Sequence, residues 1–201
     1  QARFAYYDKA HIPLVLTLGY QMQGSSVLLF ELDRLDGHWH GVENEKKGVM
    51  DVIVERSGIV QPEGDAVIRV SISYAVNEAE ILPVVPAPHA DIYIKIGQSK
   101  IDAIENREQV DAIADAFRTA LDELKNSALP PARIHVFCAA PMSVVFAMGR
   151  RISPTIHPPV LVYNYTATTS PRYAWGVQLN SLPEPCIIYP IKLEQETSVV
   201  R

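Results

Sequence analysis

Between Asn106 and Asn126 the apolar residues Val110, Ile113, Phe117, Ala120, Leu121 and Leu124 recur at steps of three and four. Glu108, Asp111, Asp115, Arg118, Asp122 and Lys125 fill the other positions. This period predicts an amphipathic helix. Asn106 is placed to cap it, and Pro130-Pro131 ends the segment. From Arg133 to Cys138 the apolar members Ile134, Val136 and Phe137 predict a buried strand. Ala139-Ala140 and Pro141 then lead into Met142 to Arg151, where Val144, Val145, Phe146 and Met148 predict a helix with Pro141 near its first turn. Val160 to Tyr163 and Tyr173 to Leu179 read as further strands, separated by a polar loop from Asn164 to Arg172.

Upstream, Ile12 to Tyr20 and Val27 to Leu32 read as two strands joined by the turn-prone Gln23-Gly24-Ser25-Ser26, and Val67 to Ser73 and Asp91 to Ile96 as two more. Glu45 to Arg56 fits helix or strand, with helix favoured. Val67 to Ser71 runs through Ile72-Ser73-Tyr74 into a short helix at Val76 to Leu82, the plan repeated by Ile134 to Cys138 and the helix at Met142. Two such units, about sixty residues apart against the roughly 30 of one βαβ unit, predict an α/β protein of two similar lobes. The expected lobes are residues 1–88 and 89–201, with Pro83 to His89 as their connection.

A chain of 201 residues, 48% of them hydrophobic, suffices for one large domain or two small lobes. No apolar run reaches the roughly 18 residues of a spanning helix, and no charged-then-apolar leader opens the chain, so the expected setting is the cytoplasm, without membrane partners. The start at Gln1 suggests a piece of a longer protein. Cys138 and Cys186 lack disulfide or zinc spacing and read as buried thiols. With 18 basic and 23 acidic residues the net charge is −5. That balance argues against tracking along nucleic acid but leaves room for a small anionic ligand.

Mononucleotide sites in α/β sheets form where strands end and helices begin, because helix N-termini offer N–H groups and partial positive charge to phosphate. Ser73 to Asn77 and Ala139 to Ser143 hold that position, Ser73 and Ser143 add hydroxyls, and Tyr74 or Tyr165 could stack a base. Taken singly, each loop is an ordinary βα turn. The sequence contains no P-loop, G-x-G-x-x-G, nucleophile elbow or H-E-x-x-H. His38-Trp39-His40, with Glu43 and Glu45 behind it, admits a metal site, but the preceding Asp36-Gly37 favours a solvated hairpin tip. Glu45-Lys46-Lys47 resembles the E-x-K element of a restriction-type nuclease without its partnering Asp. His135, alternating with apolar neighbours, reads as a satisfied polar edge. Asn164-Tyr165-Thr166 matches a glycosylation sequon by coincidence.

The segments RIHVFCAAPMSVVFAMGRRI (Arg133 to Ile152), PPVLVYNY (Pro158 to Tyr165) and RYAWGVQLN (Arg172 to Asn180) resemble the SAVED domain, and VIRVSISYAV (Val67 to Val76) resembles the serine-bearing first-lobe strand of that family. The resemblance implies two fused CARF-like, Rossmann-like lobes with mainly parallel central sheets. It implies a sensor, not an enzyme, that needs no cofactor and binds a cyclic di- or trinucleotide. Binding would drive self-association and activate a linked effector in anti-phage defence. An HNH-type nuclease is the first expectation for that effector, and DNA would be met only through that missing part. The alternatives are a type III CRISPR-associated sensor linked to a TIR or protease effector, and a small α/β enzyme acting on nucleotides. By position, the ligand residues would be Gln21, Gln23, Ser71, Ser73, Tyr74, Ala140, Pro141, Met142, Ser143, Tyr165 and Arg172, with Arg150 and Lys95 as other cations for phosphate.

Overall fold

The computed structural model describes residues 3–7, 9–33, 37–42, 48–57, 63–180 and 186–188. The strands are β1 (Arg3–Tyr6), β2 (Ser26–Leu32), β3 (Trp39–Gly41), β4 (Val52–Ser57), β5 (Ala66–Ser71), β6 (Ala90–Ile96), β7 (Ile134–Ala139), β8 (Val160–Asn164), β9 (Trp175–Leu179) and β10 (Cys186–Ile188). The helices are α1 (Ile12–Gln21), α2 (Glu78–Ile81), α3 (Arg107–Asn126) and α4 (Met142–Gly149). Among the described residues the larger sheet has the order β10-β9-β8-β7-β5-β6-β4, and a smaller one has the order β1-β2-β3. In the larger sheet β6, β5, β7 and β8 run parallel, while β4, β9 and β10 add antiparallel edges. The α/β class with a mainly parallel centre therefore holds. Both strand-loop-helix units feed the middle of this sheet, with Ala66 of β5 beside Ile134 of β7.

The sheet's two faces are covered unequally. Ile68 and Val70 of β5 and Val136 and Cys138 of β7 face the main core, which α1, α3 and α4 fill with Leu16, Phe117, Leu121 and Phe146. Val67, Phe137, Leu161 and Tyr163 face the other way, onto a smaller cluster closed by Ile81 of α2, Val85 and Tyr173. Helix α3 forms as its period demands. The Asn106 side chain accepts a hydrogen bond from the Gln109 N–H at 3.0 Å, and its buried stripe includes Val110, Ile113, Phe117 and Leu121. A cap of this kind contributes about 1 kcal/mol.

Two expected elements differ. Ile12 to Tyr20 is the helix α1, not a strand: Pro13 sits in its first turn, where a missing N–H costs nothing, and the segment is apolar nearly all round, which hides the helical period. Its close crossing with α4 depends on Gly19, which lies against the Phe146 carbonyl, and on Gly149, which lies against that of Leu16. The helix favoured across Glu45 to Arg56 is instead the edge strand β4 from Val52. The β-branched Val52-Ile53-Val54 pairs there with Ile94, Lys95 and Ile96 of β6. Glu45 to Lys47 lie outside the described residues.

Candidate functional site

The chain leaves β5 for α2 and β6 on one side, and leaves β7 for α4 and β8 on the other. Crossovers that leave these two neighbouring strands in opposite directions place α2 and α4 on opposite faces and open a crevice beyond the carboxyl ends of β5 and β7. In open α/β sheets such a switch point is where ligands bind. Two adjoining cavities occupy it, and Ser73, Ala140 and Met142 line both. The larger, about 710 Å³, is completed by Tyr74, Asn77, Glu80, Tyr165 and Tyr173 among others. The smaller, about 490 Å³, adds Lys9, Glu31, Asp33, Asp102 and Pro141.

Of the residues expected from position, Ser73, Tyr74, Ala140, Pro141, Met142 and Tyr165 come together here. Tyr74 and Tyr165 keep 54% and 41% of their surface exposed, and the Tyr165 ring meets the Tyr173 ring edge to face. Ser71 and Ser143 are fully buried. The Ser71 hydroxyl accepts a hydrogen bond from the Val76 N–H at 2.8 Å and shapes the loop from beneath. The first loop also spends backbone donors on the second, since Ile72 and Ser73 both donate to the Ala139 carbonyl. Gln21 and Gln23 are not brought to the crevice. Gln21 ends a helix and Gln23 follows it, where a strand end was expected, and the Gln23 amide donates to the Ile152 carbonyl beyond the C-terminus of α4. The other suggested cations are also engaged. Lys95 pairs with Glu55 at 2.7 Å, and Arg150 donates to the Ser25 carbonyl at 2.7 Å.

Two carboxylates escaped the reading by position. Glu31 shares its side of β2 with the buried Val27 and Leu29, and its Oε1 accepts the Ser143 N–H at 2.6 Å in the first turn of α4. Burial raises its pKa, against the opposing pull of the nearby Ser143 hydroxyl and of the Ser143 N–H that it accepts. An acidic residue on the inward parity of an apolar strand was the available signal. Glu80 of α2 accepts from Arg172 Nε at 3.1 Å, while Arg172 also donates to the Tyr165 hydroxyl at 3.1 Å and to the Ala167 carbonyl at 2.7 Å. Its guanidinium lies 5.8 Å from the Tyr165 ring centroid, at the rim of the larger cavity. This half-exposed pair contributes roughly 0.2–1 kcal/mol.

Away from the crevice, Asp65 and His135 at the amino ends of β5 and β7 join Tyr163 of β8 in a partly buried relay that lines a further cavity of about 460 Å³. His135 Nε2 lies 3.0 Å from Asp65 Oδ2, and its Nδ1 lies 2.8 Å from the Tyr163 hydroxyl. Burial alone would raise the Asp65 pKa, but hydrogen bonds from Arg133 and His135 hold it below the usual carboxylate range. An ionised Asp65 assigns the proton to Nε2 and makes Tyr163 the donor to Nδ1. Both imidazole nitrogens are thus engaged. His38 and His40 stand in and beside β3, while Glu43 and Glu45 lie outside the described residues. Among the described residues no group of three or more His, Cys, Asp or Glu side chains could hold a metal ion, and no helix is long and apolar enough to cross a membrane. The Cys138 thiol is fully enclosed, and burial pushes its pKa up to about 12.

The family described as "SMODS-associated and fused to various effectors sensor domain", SAVED, matches residues 1–179. The chain belongs to the SAVED family. The fold of this SAVED domain is similar to that of the Acinetobacter baumannii Cap4 SAVED/CARF-domain containing receptor solved with the cyclic trinucleotide 3'3'3'-cAAA. The TM-score is 0.63 at 17% identity, over 82% of this chain and 36% of that one. The same receptor with 2'3'3'-cAAA gives 0.60 at 18% identity, over 82% and 36%. The Moraxella osloensis Cap4 SAVED/CARF-domain containing receptor gives 0.56 at 14% identity, over 83% and 35%. The SAVED chain thus spans about a third of the length of these receptors. No curated protein matches it.

Proposed function

We propose that this SAVED sensor domain binds a cyclic oligonucleotide, foremost a cyclic trinucleotide, in the crevice beyond β5 and β7. The observation that carries the reading is the coincidence of a switch-point crevice, lined from both strand-loop-helix units, with a fold similar to that of one receptor solved with two cyclic trinucleotides. Tyr74 and Tyr165 offer faces for bases. Ser73, Ala140 and Met142 line both cavities, Pro141 lines the smaller, and Arg172 supplies a cation at the rim. On this reading the domain holds its ligand without chemistry. Binding promotes self-association and switches on a linked effector, a DNA nuclease in first place, in anti-phage defence. Thermal-shift and calorimetric titration of the 201-residue chain with a panel of cyclic di- and trinucleotides tests it. A trinucleotide should raise the melting temperature and bind at a defined stoichiometry, and a panel without any binder would overturn the reading.

A further inference from the structure

Each cavity meets a carboxylate of the chain where an anion would be received. Glu31 reaches from β2 to the N-terminus of the eight-residue α4, where unpaired N–H groups and the helix dipole favour negative charge. The neighbouring Ser143 hydroxyl faces the same carboxyl, is completely buried and makes no hydrogen bond of normal geometry. It is a donor awaiting a better-placed acceptor. At the other cavity Glu80 holds Arg172 beside the Tyr165 ring. Glu31 has no Lys or Arg partner among the described residues; His40 lies near enough to favour its charge and Asp102 to work against it. The acidic lining is therefore a cost to a phosphate ligand unless the carboxylates yield their partners.

We propose that Glu31 and Glu80 occupy the two anion positions of the crevice, so that a cyclic oligonucleotide binds by exchanging its phosphates for these carboxylates. The inference rests on the nucleotide reading above and adds its mechanism. Ser143 N–H, the Ser143 hydroxyl and Arg172 pass from carboxylate to phosphate. Glu31 and Glu80, displaced, carry the event into β2 and α2, the elements on which they stand. A purely structural role for the two residues makes the opposite forecast, because their acceptor oxygens would then support the site and neutralising them would weaken it.

Calorimetric titration of 3'3'3'-cAAA into the wild-type chain, Glu31→Gln, Glu80→Gln and the double variant decides between them. Glutamine keeps an acceptor oxygen and the side-chain shape while removing the charge. Each single variant should bind about three- to tenfold more tightly than wild type, with a gain that shrinks as salt is added. Wild-type binding with equal or weaker binding by both folded variants overturns the exchange and leaves the nucleotide reading standing. So does a gain that ignores salt. If no chain binds 3'3'3'-cAAA or any other member of the panel, the nucleotide reading falls and takes the exchange with it. Thermal melts establish folding, and Glu80→Gln, at the rim, decides alone if Glu31→Gln does not fold.

Discussion

Gly19 of α1 packs directly against the carbonyl of Phe146 on α4, leaving no room for a Cβ. The obstacle is backbone, which cannot rotate aside. Gly19→Ala should therefore lower stability by about 2 kcal/mol or more. Gly149→Ala, which meets the Leu16 carbonyl, should do the same. Urea unfolding followed by circular dichroism measures both, and a loss under about 0.5 kcal/mol, the size expected of an unremarkable surface change, would contradict the close crossing.

Ser71 supports the first loop through its bond to the Val76 N–H. Ser71→Ala leaves that buried donor unpaired and should cost about 1–3 kcal/mol. Hydrogen exchange at the Val76 amide should accelerate by more than that at amides in β5. Equal acceleration throughout would mean that the serine serves the fold as a whole rather than the loop.

Stability should fall on mild acidification because of His135. Burial lowers its pKa from the ordinary 6.5, with Asp65 opposing. Below 6.5 the unfolded chain takes up a proton that the folded chain refuses, so stability declines as pH falls from there through the lowered value. Asp65, held below 3.8, adds a second loss in more acidic solution. Urea midpoints between pH 7 and pH 5 should drop for the wild type and drop less for His135→Gln.

Tyr74 is the most exposed aromatic residue of the crevice. Tyr74→Ala should leave the melting temperature nearly unchanged and weaken 3'3'3'-cAAA binding by about 5- to 150-fold, the equivalent of roughly 1–3 kcal/mol of base stacking. Met142→Asp, adding charge where both cavities meet, should weaken it at least tenfold, about 1.4 kcal/mol. Ser143→Asp is a poor probe, because it would set a carboxylate beside Glu31 in a fully buried position. Calorimetry on folded chains gives the answer, and unchanged affinity for both Tyr74→Ala and Met142→Asp would move the site away from the switch point.

Ligand-dependent assembly is open to light scattering across a range of chain concentrations. Saturation with 3'3'3'-cAAA should raise the average mass despite the net charge of −5. A specific contact of this kind should bury at least about 1,000 Å². A constant monomer mass would remove self-association of this chain from the proposed function.

The α3 period and the strands at β5 to β9 were legible because their signals are local: apolar steps of three and four, short β-branched runs, and Pro-bounded ends. Helix α1 was not, because a helix packed on α4 and on β8 and β9 of the larger sheet is apolar on too many sides to show its period. The same boundary divides the site. Loops that follow a strand announce themselves, so Ser73, Tyr74 and Ala140 to Met142 were anticipated. Ser71 ends β5 and Ser143 stands in the first turn of α4, beside those loops, yet both side chains are buried, which their place in the sequence does not reveal. Glu31 and Glu80 reach the crevice from elements remote in sequence, and only the tertiary arrangement brings them there.

The crevice exists only where β5 lies beside β7, and Arg133 and Asp65, bound together at the entrance to those two strands, are 68 positions apart along the chain. Closing a loop of that length costs entropy before any neighbouring contact repays it, which places this pairing among the slow, non-local steps of folding. During refolding, helix α3 can grow from its own contacts well ahead of that event. Competence to capture a ligand should then return with the slowest major phase, making the crevice a clock for completion of the chain.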